Sequence, residues 1–323
     1  MRKASLDAVH EMARSDPRIC FIGSDLTAGT LTAMQTEMPD RFFMEGVSEQ
    51  HIIGMSAGLA MSGKIVYVNT IATFLTRRCF EQLVDDLCLH GAKVRLIANG
   101  GGLVYAPLGP THLAIEDIAI LRAIPNMTVV VPCDAQEMRR LVMQSADWPG
   151  PIYFRVAKGG EPVVSRADLP STIGKAIMLR EGKDVLLITT GVMLQEALHA
   201  AAKLAQRGIG AGILHVHSIK PLDREAILKA IAEVPAIISV EEHTICGGLG
   251  SAIAELIAES NFPTSKRFKR LGIPDVFPQM YGSQQTLMES YGIDATGIIG
   301  TVETMLERHV RSTAVEHQAH FEP

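Results

Sequence analysis

Glu45-Gly46-Val47-Ser48-Glu49-Gln50-His51 leads straight into Ile52-Ile53-Gly54-Met55-Ser56-Ala57-Gly58-Leu59-Ala60-Met61. Two acids and a histidine therefore stand before a segment that is apolar on nearly every side. Such a segment is expected to form a helix buried all round, whose Gly and Ala let another backbone approach closely. A carboxylate at a helix start gains from the helix dipole, and capping alone often explains it. At the start of a buried helix, however, Glu49 is desolvated and needs a partner. A buried carboxyl in that place is suited to sharing a proton with a heterocycle nitrogen.

Working outward, short apolar runs alternate with amphipathic ones. Residues 3–14 predict a helix, and 18–23 a buried strand feeding the polar loop Ser24-Asp25-Leu26-Thr27. Residues 65–69 predict a strand with a loop, 70–74, behind it; 80–90 predict an amphipathic helix. Strands follow at 94–98, 128–131 and 152–156, with helices at 115–123 and after Asp134, the expected N-cap. Strand and helix alternating at this spacing imply an α/β fold with a mostly parallel, doubly wound sheet. Sheets of that kind bind ligands outside the carboxyl ends of their strands. Asp25, Phe74, the loop 108–112 and Lys158 all follow carboxyl ends.

Residues 159–175 are polar and rich in Gly, Pro and Ser, and make the best boundary. Beyond them the pattern restarts, with strands at 184–190, 211–217, 236–242 and 268–273. Helices are expected at 194–207, 223–233 and 251–259, and two more near 284–308. The reading is a first domain over 1–165, a smaller α/β domain over 175–310 and a loose tail, 311–323.

Composition narrows the functional classes. A net charge of -5 and the lack of any Lys/Arg cluster longer than two argue against nucleic acid as a partner. Five scattered cysteines without a CxxC pair read as buried thiols in a reducing compartment, and as neither a disulfide frame nor a zinc site. No apolar run approaches the roughly 18 residues of a membrane span. A cytoplasmic α/β protein is the expectation, with no metal ligands of its own.

Gly109-Pro110-Thr111-His112 ends a glycine-rich loop, and its histidine reads either as a satisfied loop residue or as a proton donor at a cleft. Lys158 reads either as solvated surface charge or as a phosphate ligand. Arg77-Arg78 reads as surface or interface charge. Cys246-Gly247-Gly248-Leu249-Gly250 invites a dinucleotide reading but lacks the third glycine, and is taken as a tight turn that packs a helix on the sheet.

Together these stretches resemble the transketolase family, including the deoxyxylulose-phosphate synthases. The resemblance is carried by Phe42 to His51, by Thr73-Phe74-Leu75-Thr76-Arg77-Arg78 with Phe80-Glu81-Gln82, and by Gly109-Pro110-Thr111-His112 before Leu121-Arg122-Ala123-Ile124-Pro125. Glu241-Glu242-His243 with Gly247-Gly248-Leu249-Gly250 adds the third-domain loop. The resemblance covers residues 3 to 308. It implies thiamine diphosphate, with Glu49 bonding the aminopyrimidine N1′ and so promoting loss of the thiazolium proton. Phe74 matches an aromatic against the pyrimidine ring, and Ile71 stands where a second family aromatic falls. Asp25 is expected near the cofactor. His112 matches a histidine that contacts substrate oxygens, and Lys158 stands where relatives bind a sugar phosphate.

Two departures follow. The family's diphosphate- and magnesium-binding motif begins Gly-Asp-Gly, and no Gly-Asp-Gly occurs in this sequence. The implied enzyme is a split transketolase, with Mg2+ and diphosphate held by a partner subunit and the two forming a heterotetramer. Second, Leu108 replaces the aspartate that usually precedes Gly-Pro-Thr-His and reads a sugar hydroxyl, so a donor or acceptor other than ordinary pentose phosphates is expected. The alternatives are a beta-type subunit of a 2-oxo acid dehydrogenase complex and a non-catalytic family member.

Overall fold

Aliphatic runs bounded by turns become strands β1 (Ile19–Gly23), β2 (Phe42–Met44), β3 (Ile65–Ile71), β4 (Val94–Asn99), β5 (Thr128–Val130) and β6 (Ile152–Val156). After the polar linker come β7 (Ile177–Arg180), β8 (Val185–Thr189), β9 (Ala211–His215), β10 (Ser218–Lys220), β11 (Ala236–Thr244) and β12 (Arg267–Ile273). The computed structural model describes residues 1–27 and 29–319, the side chains of Thr27 and of 308–319 excepted.

The first sheet has the order β10-β5-β6-β4-β3-β1-β2 and the second β12-β11-β8-β9-β7. Within the first, every pairing is parallel except that of β10 with β5. In the second, only β7 runs antiparallel, against β9. Helices cover both faces of the central strands, which is why β1, β4, β6, β8 and β9 are buried along their whole length and read as unbroken apolar runs. The expected two-domain α/β architecture is thus the observed one. One detail crosses the boundary: β10, from the second half, extends the first sheet through Ser218 opposite Val130 and Lys220 opposite Val129.

Some local expectations are corrected. Residues 70–74 are no loop: β3 runs to Ile71 and a short helix, Ala72–Thr76, follows at once. The helix expected over 80–90 is α-helical only over Phe80–Gln82 and becomes a π-helix over Leu83–Cys88. The helix Glu49–Met61 buries one face, with Ile52, Ile53, Ser56 and Ala57, and exposes Gly54, Gly58 and Met61 on the other. It is not enclosed all round in the single chain. The last helix, Ala295–Ala319, continues into the expected tail, and residues 320–323 lie outside those described.

Asp134 caps Ala135–Gln144 as expected, accepting from the backbone N–H groups of Gln136 and Glu137. The cap does more: Asp134 Oδ2 also accepts from Val164 N (2.8 Å) and Ser165 N (2.6 Å), fastening the linker to the first domain. Burial opposes its charge, yet these N–H donors hold its carboxyl below the usual range.

Candidate active site

The carboxyl ends of β1, β2, β3 and β4 each release a segment with a predicted site residue. Glu49 begins its helix after β2 and is 1% exposed. Its Oε2 accepts from Arg78 Nη1 at 2.6 Å, while Oε1 is buried with no hydrogen-bond partner. A sealed carboxylate oxygen without a donor is rare in a folded protein and marks a place where a donor from outside the chain fits.

Phe74, on the short helix after β3, is half-buried. The guanidinium of Arg78 lies over its ring, 4.1 Å from the centroid. The ring also meets His112 edge-on, with centroids 5.4 Å apart and planes at 63°. His112 Nδ1 lies 2.9 Å from Thr111 Oγ1. Glu49, Arg78, Phe74 and His112 thus form one continuous cluster, built from the segments that follow β2, β3 and β4. Thr73 is also buried, and its hydroxyl has no partner.

The cluster is held from behind. Ser24 Oγ donates to Thr70 Oγ1 at 2.7 Å and ties the ends of β1 and β3. Gln50 Nε2 donates to the backbone carbonyl of Arg78 at 3.0 Å. Arg77 forks onto Glu116 and also donates to the carbonyl of Leu113 (2.7 Å) and to that of Pro110 (3.3 Å), which clamps the loop carrying His112. Gly109, at φ +77°, lies where a Cβ would come within 3.0 Å of the Tyr281 ring.

The other predicted residues lie further out. Ile71 ends β3 and is half-buried, and Asp25 is exposed on a 3-10 turn after β1. Leu108 is 52% exposed on the 3-10 turn before Gly109. Lys158 follows β6 and lines a cleft of about 210 Å3 with Gln195 and Gln284; Glu49, Phe74 and His112 do not line it. The structure therefore links Glu49, Phe74 and His112 through Arg78 and the Phe74 ring, and leaves Asp25, Leu108 and Lys158 outside that cluster.

Arg78, which the sequence presents as surface or interface charge, instead bonds the central carboxylate. The missed signal is its spacing: four residues after Phe74, in the turn just past the short helix, it reaches back over that ring. At the glycine-rich turn 247–250, before its helix, the chain's own carboxylate stands where a dinucleotide phosphate would sit. Glu241 accepts from Leu249 N (2.7 Å) and Gly250 N (2.8 Å), and so already occupies that helix N-terminus. Glu242 sits behind it, fully buried, and burial raises its carboxyl to about 6 although Arg155 pulls the other way.

The sequence from residue 1 to 161 matches the transketolase pyrimidine binding domain, and 174–298 matches the transketolase C-terminal domain. The chain belongs to the transketolase family. This transketolase-family chain is 39% identical over 302 residues to one of the subunits of apulose-4-phosphate transketolase from Phocaeicola vulgatus, covering 93% of this chain and 95% of that one. It is 36% identical over 309 residues to 6-deoxy-6-sulfo-D-fructose transketolase subunit SqwH of Clostridium sp. (strain MSTE9), covering 95% of each. Among solved structures it is similar to a split gene transketolase described as an inactive beta4 tetramer. There the TM-score is 0.86 at 36% identity, over 94% of this chain and 97% of that one.

Proposed function

We propose that this chain is the pyrimidine-activating subunit of a split, thiamine-diphosphate-dependent transketolase that transfers a two-carbon ketol unit between sugar phosphates. The observation that carries the reading is Glu49 Oε1, sealed from water and without a donor, on a carboxylate that Arg78 joins to the Phe74 ring and, through it, to His112. The residues fit the cofactor's pyrimidine half: an acid for N1′, and Phe74 with Ile71 for the ring, with Asp25 near its edge. Bound thiamine diphosphate supplies a thiazolium carbon that acts as nucleophile and electron sink.

This chain's own residues then do three things. Glu49 holds and returns the proton at N1′ in a dry setting, where charge interactions are strong. Phe74 fixes the ring plane, and His112, in edge contact with Phe74, moves a proton at the substrate's oxygen. Lys158, at the far cleft, takes the substrate phosphate.

In this reading diphosphate and Mg2+ fall to a partner subunit, which the match along 95% of two relatives named as subunits supports. The open face of Glu49–Met61, with Gly54, Gly58 and Met61, supports a close helix contact in a heterotetramer. The relative described as an inactive beta4 tetramer supports the same division, since copies of one subunit assemble there without activity. Domains over 1–165 and 175–310 complete the reading. Five unpaired cysteines, with Cys246 exposed, suit a reducing, cytoplasmic setting.

The substrate we infer is a modified sugar. Leu108 offers an apolar surface where the family's hydroxyl-reading acid stands, and two relatives carry modified sugars in their names. The test is reconstitution. The chain alone with thiamine diphosphate and Mg2+ is expected to be inactive, and to gain ketol transfer when mixed with a Gly-Asp-Gly partner. Turnover by the single chain would overturn the split reading. Reduction of a lipoyl domain by the pair would move it to the 2-oxo acid dehydrogenases, and an unchanged rate for Glu49→Ala in the pair would make it non-catalytic.

A further inference from the structure

We propose that the guanidinium of Arg78 stands in for the cofactor's pyrimidine in the unpartnered chain, keeping that subsite formed until the ring displaces it. The inference rests on the assignment of Glu49 and Phe74 as the pyrimidine contacts. A guanidinium is planar, delocalised and rich in N–H donors, and it stacks on aromatic faces. These are the properties of an aminopyrimidine that donates from N1′.

Arg78 uses them on the same two groups. It donates to Glu49 Oε2 at 2.6 Å and lies over the Phe74 ring at 4.1 Å. Without it, Glu49 would be a buried carboxylate with neither counter-charge nor donor, an arrangement a folded chain avoids. The side chain is also placed to leave. It is 41% exposed, whereas Glu49 is 1% exposed, so the cation can return to water while the acid cannot. Its main chain stays fixed through the Gln50 bond to its carbonyl, so rotation about the side chain alone clears the ring face. Release therefore needs no rearrangement of the short helix that carries Phe74.

A stand-in lowers apparent cofactor affinity, because only the fraction of molecules with the subsite cleared can bind. In the enzyme assembled with its partner, calorimetry with thiamine diphosphate and Mg2+ is expected to give roughly threefold or tighter binding for Arg78→Ala than for wild type. Arg78→Gln, which keeps a planar amide donor without the charge, is expected to fall between them and covers the case in which the alanine variant does not fold. In the free chain, Arg78→Ala is expected to lower the Tm, and to lower it less in a Glu49→Gln background, since the two side chains interact. Unchanged or weaker cofactor binding by both Arg78 variants would overturn the stand-in, provided that Glu49→Gln weakens binding. Cofactor binding by Glu49→Gln equal to wild type would instead remove the pyrimidine assignment itself. Additive Tm losses in the free chain would overturn the stand-in whichever way cofactor binding falls.

Discussion

His215 Nε2 lies 2.9 Å from Glu137 Oε2, with both side chains sealed from water, at the seam between the two sheets. Glu137 sits on the helix capped by Asp134, and His215 ends β9. The same carboxylate accepts from Cys133 N (2.7 Å) and from Ser171 Oγ of the linker (3.0 Å). First domain, linker and second domain therefore meet on one side chain. The ligand atoms of Cys133, Glu137 and His215 are close enough to suit a metal, but both Glu137 oxygens already accept from protein groups, and we read the cluster as structural.

Glu137→Gln keeps the shape and removes the charge that His215 and His217 face. Burial works against that charge, and the two histidines hold the carboxyl far below the usual range. The substitution is expected to cost about 3 kcal/mol. Denaturant unfolding at pH 7 checks it, and the loss should shrink when His215→Ala is already present.

His217 predicts a pH window. Its imidazole is buried 5.8 Å from that of His215, and burial lowers it to about 4 although Glu137 pulls it up. An unfolded histidine takes up its proton near 6.5. The unfolded chain thus binds more protons between about 6.5 and 4, and stability is expected to fall as pH falls through that range. Glu137, whose carboxyl is lowered, keeps its contribution until pH drops below its unfolded value near 4.3, so it acts at the acid end of the window. Thermal melts from pH 7.5 to 4.5 should be flatter for His217→Gln than for wild type.

Arg77→Ala removes the clamp on the loop that carries His112. The expected result is a fall in kcat/KM of about 100-fold in the reconstituted enzyme, because misplacement near 1 Å is costly in a catalytic site. Faster amide hydrogen exchange over residues 105–116, with other segments unchanged, separates loop loosening from general unfolding.

Leu108→Asp places an acid immediately before Gly109, where the proposed function expects a hydroxyl-reading group to act. Relative kcat/KM for ordinary pentose phosphates against modified donors is expected to rise, by about tenfold or more, since polar recognition discriminates strongly. A donor panel on the two enzymes measures the ratio directly.

Gly248→Ala tests the turn at the start of Leu249–Ala258. An added Cβ would come within about 2 Å of Glu241 Oε2, into the carboxylate that caps the helix. Overpacking of this kind is expected to cost about 1–3 kcal/mol in unfolding free energy.

Much of the site was legible because its chemistry and its fold speak the same language. An acid before an apolar, glycine-rich helix cannot be comfortable, and Glu49 Oε1 is indeed unpartnered. The parallel strands were readable from long apolar runs, and their carboxyl ends from the polar loops that follow. Arg78 was not legible for a specific reason. Reading 70–74 as a loop hid the short helix and the turn after it that carry Arg78 back over Phe74, and two adjacent arginines look like solvated charge. Strands β2, β7 and β10 escaped because each is short and lies at the edge of its sheet, only partly buried, so that no unbroken apolar run marks it as one marks the equally short but interior β5. Their identity comes from partners distant in sequence, as when β10 finds β5.

That last pairing bears on how such a protein can be inherited. A gene encoding only residues 1–161 would make a sheet whose β5 edge is raw, with backbone donors and acceptors open to any passing strand. A gene encoding only the second half would carry β10 with nothing to lie against. Cutting the chain at the polar linker would therefore open the first sheet, although that linker looks like the natural place to cut.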